Sequence, residues 1–82
     1  MEDEIKKLRQ ELDVLDDNIA ELIALRVGTG RKIVGLKRLK GLPKNDESRE
    51  NEILERISKQ NPEVAGLLKE LYKRIFDWVK NQ

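Results

Sequence analysis

The sequence contains neither cysteine nor histidine among its 82 residues. Without cysteine there is no disulfide, no thiolate nucleophile and no cysteine-ligated metal site. Without histidine there is no imidazole base and no histidine-ligated zinc, so classical catalytic triads and zinc hydrolases are excluded. We therefore expect no metal site in this protein.

Long apolar runs are also missing. None approaches the ~18 residues that a membrane span requires, and the Met-Glu-Asp-Glu start lacks the basic and apolar regions of a signal peptide. Basic residues number 17 and acidic residues 16, which argues against a polycation or an acidic tail. We expect a cytoplasmic protein with no membrane partner.

The small size of the chain bears on its stability. We predict a single domain over residues 1–82. A chain this short buries only ~60% of its unfolded surface. Small domains of this kind usually depend on a cross-link or a partner, and this sequence has no cysteine to supply a cross-link.

One helical pattern dominates the first half of the chain. Alternating β-strand patterns are missing, and three aromatic residues are too few for the core of a sheet. Apolar residues instead recur in steps of three and four, the pattern of a heptad seam. This seam consists of Ile5, Leu8, Leu12, Leu15, Ile19, Leu22, Ile33 and Leu36, and it is interrupted at Arg26 and Thr29. We predict one helix over residues 3–39, about 55 Å long, which favours pairing with a second copy.

Three glycines lie inside this predicted helix. Gly28, Gly30 and Gly35 each cost ~1 kcal/mol relative to alanine. The seam keeps the same phase on both sides of them, so we predict an unbroken helix. Close helix packing, or room for a ligand beside residue 30, would explain their presence.

Two further helices follow. The Gly41–Asn45 segment contains glycine and proline and predicts a loop. Asn45 or Asp46 can cap a second helix that ends near Gln60. The run Asn61-Pro62-Glu63 combines an N-cap, a proline at the first helical position and an acidic residue. It predicts a third helix from residue 62 nearly to residue 82.

A basic stretch marks the first candidate site. Residues 22–45 contain seven lysines and arginines and no acidic residue, which concentrates positive potential there. The stretch can be a solvated basic face with a structural role. It can be a nucleic-acid-binding surface, although no aromatic residue interleaves with the basic ones. It can also be a pocket for a small dianion.

The positions of two basic residues favour the pocket. Arg26 lies on the apolar seam, where a buried charge needs a partner. That partner is either a bound carboxylate or an acidic side chain of another helix. Lys37 follows 11 residues later on nearly the same face, with a Cα–Cα separation of ~16 Å.

The second helix adds a polar stripe. Asp46, Arg49, Glu50 and Ile53 are spaced i, i+3, i+4, i+7 and lie on one face. Because the stripe continues into Ile57, its polar end points toward the core. The simpler alternative is that Asp46 only caps the helix and Glu50 forms a surface ion pair.

Four segments, taken in order, carry a family resemblance. They are Leu8–Asp16, Leu25-Arg26, Lys37 and Asp46–Glu50, and together they cover residues 5 to about 57. Their order and spacing resemble an all-helical chorismate mutase domain of the type that forms an intertwined dimer. The resemblance implies an all-α fold with one very long, one short and one medium helix in an intertwined homodimer.

The resemblance also implies roles for individual residues. Arg9 and Arg26 resemble the arginines that bind the two carboxylates of chorismate. Lys37 resembles the lysine that hydrogen-bonds the ether oxygen. Glu50, with Asp46 near it, resembles the group that meets the ring hydroxyl.

The resemblance implies two more site residues. Arg49 resembles the arginine that completes the positive pocket. The family also has a glutamine late in its third helix. Matching Tyr72, Ile75 and Phe76 to the apolar stripe of the family puts that glutamine one place beyond Gln82. A shift of one residue makes Gln82 the catalytic glutamine instead but breaks the match of the stripe.

The resemblance implies an isomerase that converts chorismate to prephenate without a cofactor. This pericyclic shift needs no nucleophile, so the lack of cysteine and histidine is no obstacle. Arg9 and Arg26 lie ~25 Å apart along one helix. Each site is therefore expected to use Arg9 of the other chain, with the two long helices crossing near Ala20. Because fusion to another enzyme of aromatic biosynthesis is common in the family, such an enzyme is a candidate partner.

Rival functions remain at this point. Trp78 resembles a feature of the isochorismate pyruvate lyases that share this fold, although the Asp46-x-x-Arg49-Glu50 set favours the mutase. A different class of function is a non-enzymatic helical interaction module or a nucleic-acid binder that uses the basic stretch. The charge of Arg26 on the apolar seam argues against that class, and we expect no nucleic-acid partner.

Overall fold

The computed structural model describes residues 1–81, which form three α-helices. Helix α1 spans Glu2–Leu39, α2 spans Glu47–Gln60 and α3 spans Ala65–Lys80, and a 3₁₀ turn at Pro62–Val64 precedes α3. No strand occurs in this part of the chain, so the predicted all-α fold is confirmed. None of the described helices has both the length and the apolar character of a membrane span.

Helix α1 is continuous through its three glycines, as predicted. It contains 38 residues and accounts for the longest dimension of the molecule, 58 Å. At Gly30 an added Cβ would lie 3.0 Å from Cγ1 of Val79, so this glycine permits close approach of α3. Gly28 and Gly35 have open space around them, and no packing within residues 1–81 explains them.

The end of α1 is fixed by main-chain hydrogen bonds. Gly41 has a φ of +70°, which a residue without a Cβ adopts without strain. The Leu42 amide donates to the Lys37 carbonyl at 2.8 Å, and the Gly41 amide donates to the Arg38 carbonyl at 3.2 Å. These two bonds form a Schellman motif, which turns the chain toward α2.

The starts of the next two elements differ from each other. Asp46 is the N-cap of α2, and its carboxylate accepts a bond from the Arg49 amide at 3.0 Å. Asn61 occupies an N-cap position, but its side chain does not cap, and this part of the prediction is wrong. Its amide instead donates to the Ile57 carbonyl at 3.0 Å, which satisfies the end of α2. The predicted third helix therefore begins with a 3₁₀ turn, and α3 itself ends at Lys80.

The core forms where α3 packs against both other helices. Ile53 and Ile57 of α2 pack with Phe76 of α3, and Val79 is buried as well. No residue of α1 is buried, and the apolar seam is exposed in the single chain. The radius of gyration is 16.5 Å, whereas a compact chain of this length has one of about 12 Å.

Candidate active site

A cleft of about 330 Å³ lies between the C-terminal half of α1, the start of α2 and the C-terminal half of α3. This volume lies within the range of small-molecule sites. Its charged lining residues are Arg26, Lys37, Lys44, Asp46, Arg49, Glu50, Arg56 and Lys80. Six of them are basic and two are acidic, so the cleft favours an anionic ligand.

Five of the predicted site residues line this cleft. They are Arg26, Lys37, Asp46, Arg49 and Glu50. The C-terminal half of α1, which carries the first two of these residues, lines the cleft together with the start of α2. The predicted stripe of α2 therefore faces the basic residues of α1 across a shared space.

Arg26 is held by aromatic rings. Its guanidinium carbon lies 5.3 Å from the ring centroid of Tyr72 and 5.4 Å from that of Phe76. The two rings meet edge to face, with centroids 6.0 Å apart. Within residues 1–81, no carboxylate forms a salt bridge with Arg26. The rings therefore support the guanidinium through cation–π contacts and leave its charge available to a ligand.

The ammonium group of Lys37 has no partner among residues 1–81. Its side chain lines the cleft and is half-buried. No hydrogen bond or salt bridge from this side chain occurs within the described residues. A cation in such a position can donate to an acceptor atom of a bound molecule.

The start of α2 gives its charged residues separate tasks. The Asp46 carboxylate accepts the capping hydrogen bond from the Arg49 amide. The simpler alternative from the sequence, in which Asp46 caps the helix, is therefore present. The Arg49 guanidinium lines the cleft but pairs with Glu52 at 2.9 Å, and its side chain is 52% exposed. Glu50 is more enclosed, with 25% of its side chain exposed.

The sequence interpretation missed Lys80. Its ammonium lies 2.7 Å from Oε2 of Glu50 and 2.7 Å from Oδ1 of Asn45. Lys80 follows Phe76 by four residues, so helical spacing places both on one face. That spacing was the available signal. The sequence interpretation also missed the contact of Tyr72 with Arg26, because local patterns do not give the orientation of α3.

One predicted site residue, Arg9, is not brought to the cleft. Arg9 lines a separate shallow depression with Glu2, Ile5 and Lys6 near the start of α1. It lies 17 residues before Arg26 on the same unbroken helix, or about 25 Å away. Gln82, the candidate glutamine, lies outside the described residues.

Comparison with known proteins assigns the family. The model of the family "chorismate mutase type II" matches residues 8–82. The chain is 38% identical over 64 residues, 78% of its length, to a bifunctional chorismate mutase/prephenate dehydratase of Aquifex aeolicus. It is 34% identical over 59 residues, 72% of its length, to a chorismate mutase of Methanocaldococcus jannaschii.

The matched regions cover only part of these relatives. They span 18% of the Aquifex protein and 60% of the Methanocaldococcus protein. No solved structure is a significant match. Because the family model covers nearly the whole chain in one continuous match, the chain belongs to the chorismate mutase type II family.

Proposed function

We propose that this chain catalyses the rearrangement of chorismate to prephenate in the cleft described above. The observation that carries the proposal is the joint position of Arg26 and Lys37. Both line the same cleft, and neither forms a salt bridge within residues 1–81. Two cations without a counter-ion in the described part of the chain suit a small dianion that must be bound and then stabilised as its charge shifts.

The reaction places few demands on the protein. The ether C–O bond breaks while a C–C bond forms within the same molecule, and no proton or group is transferred to the enzyme. The site has to hold the dianion in its compact, reactive conformation. It must also stabilise the negative charge that develops on the ether oxygen. Both tasks suit cations that line a cleft.

Each cleft residue has a proposed task. Arg26, supported by Tyr72, binds a carboxylate of the substrate, and a guanidinium suits this because its donors match a carboxylate in geometry. Lys37 donates to the ether oxygen as the bond breaks. Glu50 accepts a hydrogen bond from the ring hydroxyl. Arg49 adds positive charge at the mouth of the cleft.

The second carboxylate is assigned to Arg9 of a second chain. Within one chain Arg9 is too distant to reach a molecule that contacts Arg26. An antiparallel pair of α1 helices that cross near Ala20 would bring Arg9 of one protomer to the cleft of its partner. We therefore propose a homodimer in which both chains contribute to each site.

The surface of the single chain supports this dimer. The seam residues Leu8 and Ile19 are 58% and 54% exposed. The accessible surface is 7114 Å², whereas a compact monomer of 9.6 kDa exposes about 5,100 Å². A chain with this much extra, partly apolar surface is expected to be covered by a partner.

The rival functions find less support. Trp78, which suggested a lyase, is 57% exposed and does not line the cleft. Of the seven basic residues in the stretch 22–45, Arg26, Lys37 and Lys44 line the cleft. The basic stretch is thus divided between the cleft and the outer surface, which favours the pocket over a nucleic-acid-binding face.

A direct assay tests the proposal. The purified chain is incubated with chorismate, and prephenate is measured after acid conversion to phenylpyruvate. Prephenate should form faster than in buffer alone. A parallel incubation with isochorismate tests for pyruvate release. If chorismate is not consumed and isochorismate is cleaved, the lyase replaces the mutase as the function.

A partner enzyme is a further part of the proposal. The Aquifex relative carries prephenate dehydratase as well as mutase in its name. An enzyme that consumes prephenate is therefore the candidate partner of this chain.

A further inference from the structure

Lys80 has no role in the scheme above, although it is one of the more enclosed charged residues of the cleft. Only 15% of its side chain is exposed. Its ammonium contacts Glu50 and Asn45, each at 2.7 Å, and its main-chain carbonyl accepts a bond from Lys44 Nζ at 2.8 Å. The last turn of α3 is thus tied to both the loop before α2 and the first turn of α2.

The position of Glu50 raises an electrostatic problem. A carboxylate that lines a cleft for a dianion repels the ligand, and the repulsion grows as water is excluded. Glu50 can serve the ring hydroxyl only if this negative charge is offset. Lys80 is the cation placed to do so, because Arg49 is paired with Glu52 instead.

The hydrogen-bond geometry also leaves one carboxylate oxygen available. Lys80 binds Oε2 of Glu50. No bond to Oε1 of Glu50 occurs within the described residues. A carboxylate fixed through one oxygen presents the other in a defined direction. Such an acceptor can recognise a hydroxyl group of the ligand.

We propose that Lys80 is a positioning residue that neutralises Glu50 and orients its carboxylate toward the hydroxyl of the bound dianion. This inference rests on the proposed function and assigns a specificity role to a residue outside the predicted site. Lys80 acts through Glu50, so its effect should disappear when Glu50 carries no charge.

Binding of prephenate, the dianionic product, measures this effect without requiring turnover. Isothermal calorimetry on the full chain compares wild type with Lys80→Met, both alone and in the Glu50→Gln background. Lys80→Met should weaken prephenate binding about tenfold, the typical effect of a hydrogen bond to a charged group. In the Glu50→Gln background the same substitution should change the affinity less than twofold. In turnover assays Lys80→Met should raise KM more than it lowers kcat.

Two control variants separate this role from general effects. Lys73→Met removes the same charge from an exposed position of α3 outside the cleft and should leave binding unchanged. Asn45→Ala removes the loop contact of Lys80 but keeps the Glu50 pair, and it should also bind normally. If Asn45→Ala weakened binding as much as Lys80→Met, Lys80 would act through the loop and the inference would be wrong.

The remaining outcomes are also decisive. If Lys80→Met does not fold, as judged by circular dichroism, Lys80→Gln removes the charge while retaining a hydrogen-bond donor, and the same loss is expected. An equal loss in the Glu50→Gln background, or no loss in wild type, would overturn the inference alone. A wild-type chain that neither binds prephenate nor consumes chorismate would instead overturn the proposed function.

Discussion

The guanidinium of Arg26 lies over the ring of Tyr72, with its central carbon 5.3 Å from the ring centroid. A charge on an otherwise apolar helix face led us to expect an anionic partner. Within residues 1–81 the structure supplies aromatic support instead, and no acidic side chain neutralises the arginine. A cation supported by aromatic rings can still bind a carboxylate.

Substitution of Tyr72 should therefore affect substrate binding. Tyr72→Leu removes the ring and should lower kcat/KM about fivefold to thirtyfold, because cation–π contacts contribute about 1–2 kcal/mol in partly desolvated sites. Tyr72→Phe keeps the ring and should remain within about twofold of wild type on the same grounds. Steady-state kinetics of the two variants test this. An equal loss in both would mean that the hydroxyl, not the ring face, is what matters.

Lys37 should be essential for turnover but not for folding. Lys37→Ala removes the donor proposed for the ether oxygen. The loss of one such donor costs about 3–4 kcal/mol, or roughly a hundredfold to a thousandfold in kcat. The helical circular dichroism spectrum should not change, because the Lys37 side chain forms no hydrogen bond within residues 1–81 and alanine keeps its main-chain bonds.

Lys32→Ala is the matched control for this prediction. Lys32 is an exposed lysine on the same helix and does not line the cleft. Its removal lowers the charge of α1 equally and should leave kcat near the wild-type value. Near-normal turnover in Lys37→Ala would remove that lysine from the mechanism.

Substitution of Gly30 and of Gly28 by alanine should change the free energy of unfolding in opposite directions. At Gly30 the new Cβ would lie 3.0 Å and 3.2 Å from the two γ-carbons of Val79, and overpacking of this kind costs about 1–3 kcal/mol. At Gly28 nothing lies within 4 Å, so Gly28→Ala should gain up to ~1 kcal/mol from helix propensity. Urea unfolding at equal protein concentration measures both. A Gly30→Ala variant as stable as Gly28→Ala would show that α3 shifts freely away from α1.

Local signals in the sequence predicted most of the backbone. The constant phase of the seam correctly indicated one helix through three glycines, and Gly41 correctly marked its end. Asp46 was identified as a candidate cap because capping depends only on residues three positions apart. Asn61 was misjudged because its side chain can bond to either neighbouring helix end, and the sequence does not say which.

The candidate site was predictable only in part. Arg26, Lys37 and Glu50 emerged from spacing on α1 and α2, and the cleft brings them together. The contributions of α3 could not be obtained in the same way. Tyr72 and Lys80 reach the cleft only because α3 folds back between the other two helices, at an angle that no local pattern encodes.

The shared site is the remaining prediction, and it depends on the distance between two arginines. Arg9 and Arg26 lie about 25 Å apart on the continuous α1, yet one small dianion is proposed to bind both. If Arg9 of one chain lies near residue 31 of the other, between Arg26 and Lys37, the two-fold axis passes near Ala20. Ala20 is small and adjoins the seam residue Ile19, which permits a close crossing of the two helices.

Complementation between two inactive chains tests this arrangement. Arg9→Ala and Arg26→Ala should each be inactive alone, because every site in either homodimer lacks one arginine. In a heterodimer one site lacks both arginines and the other keeps both. Each heterodimer should therefore recover about half the activity of a wild-type dimer, as the symmetry of the dimer requires.

The experiment must show that the two variant chains exchange subunits and form a heterodimer. Differently tagged chains purified through both tags isolate the heterodimer, and sedimentation should show a dimer with no folded monomer at micromolar concentration. Recovery of activity in that fraction cannot come from one chain alone, since neither variant contains an intact set of arginines. A pure heterodimer that stays inactive would mean that Arg9 and Arg26 do not meet across the interface. A compact monomer that remains active would contradict the dimer itself, because within one chain Arg9 is too far from the cleft to contribute.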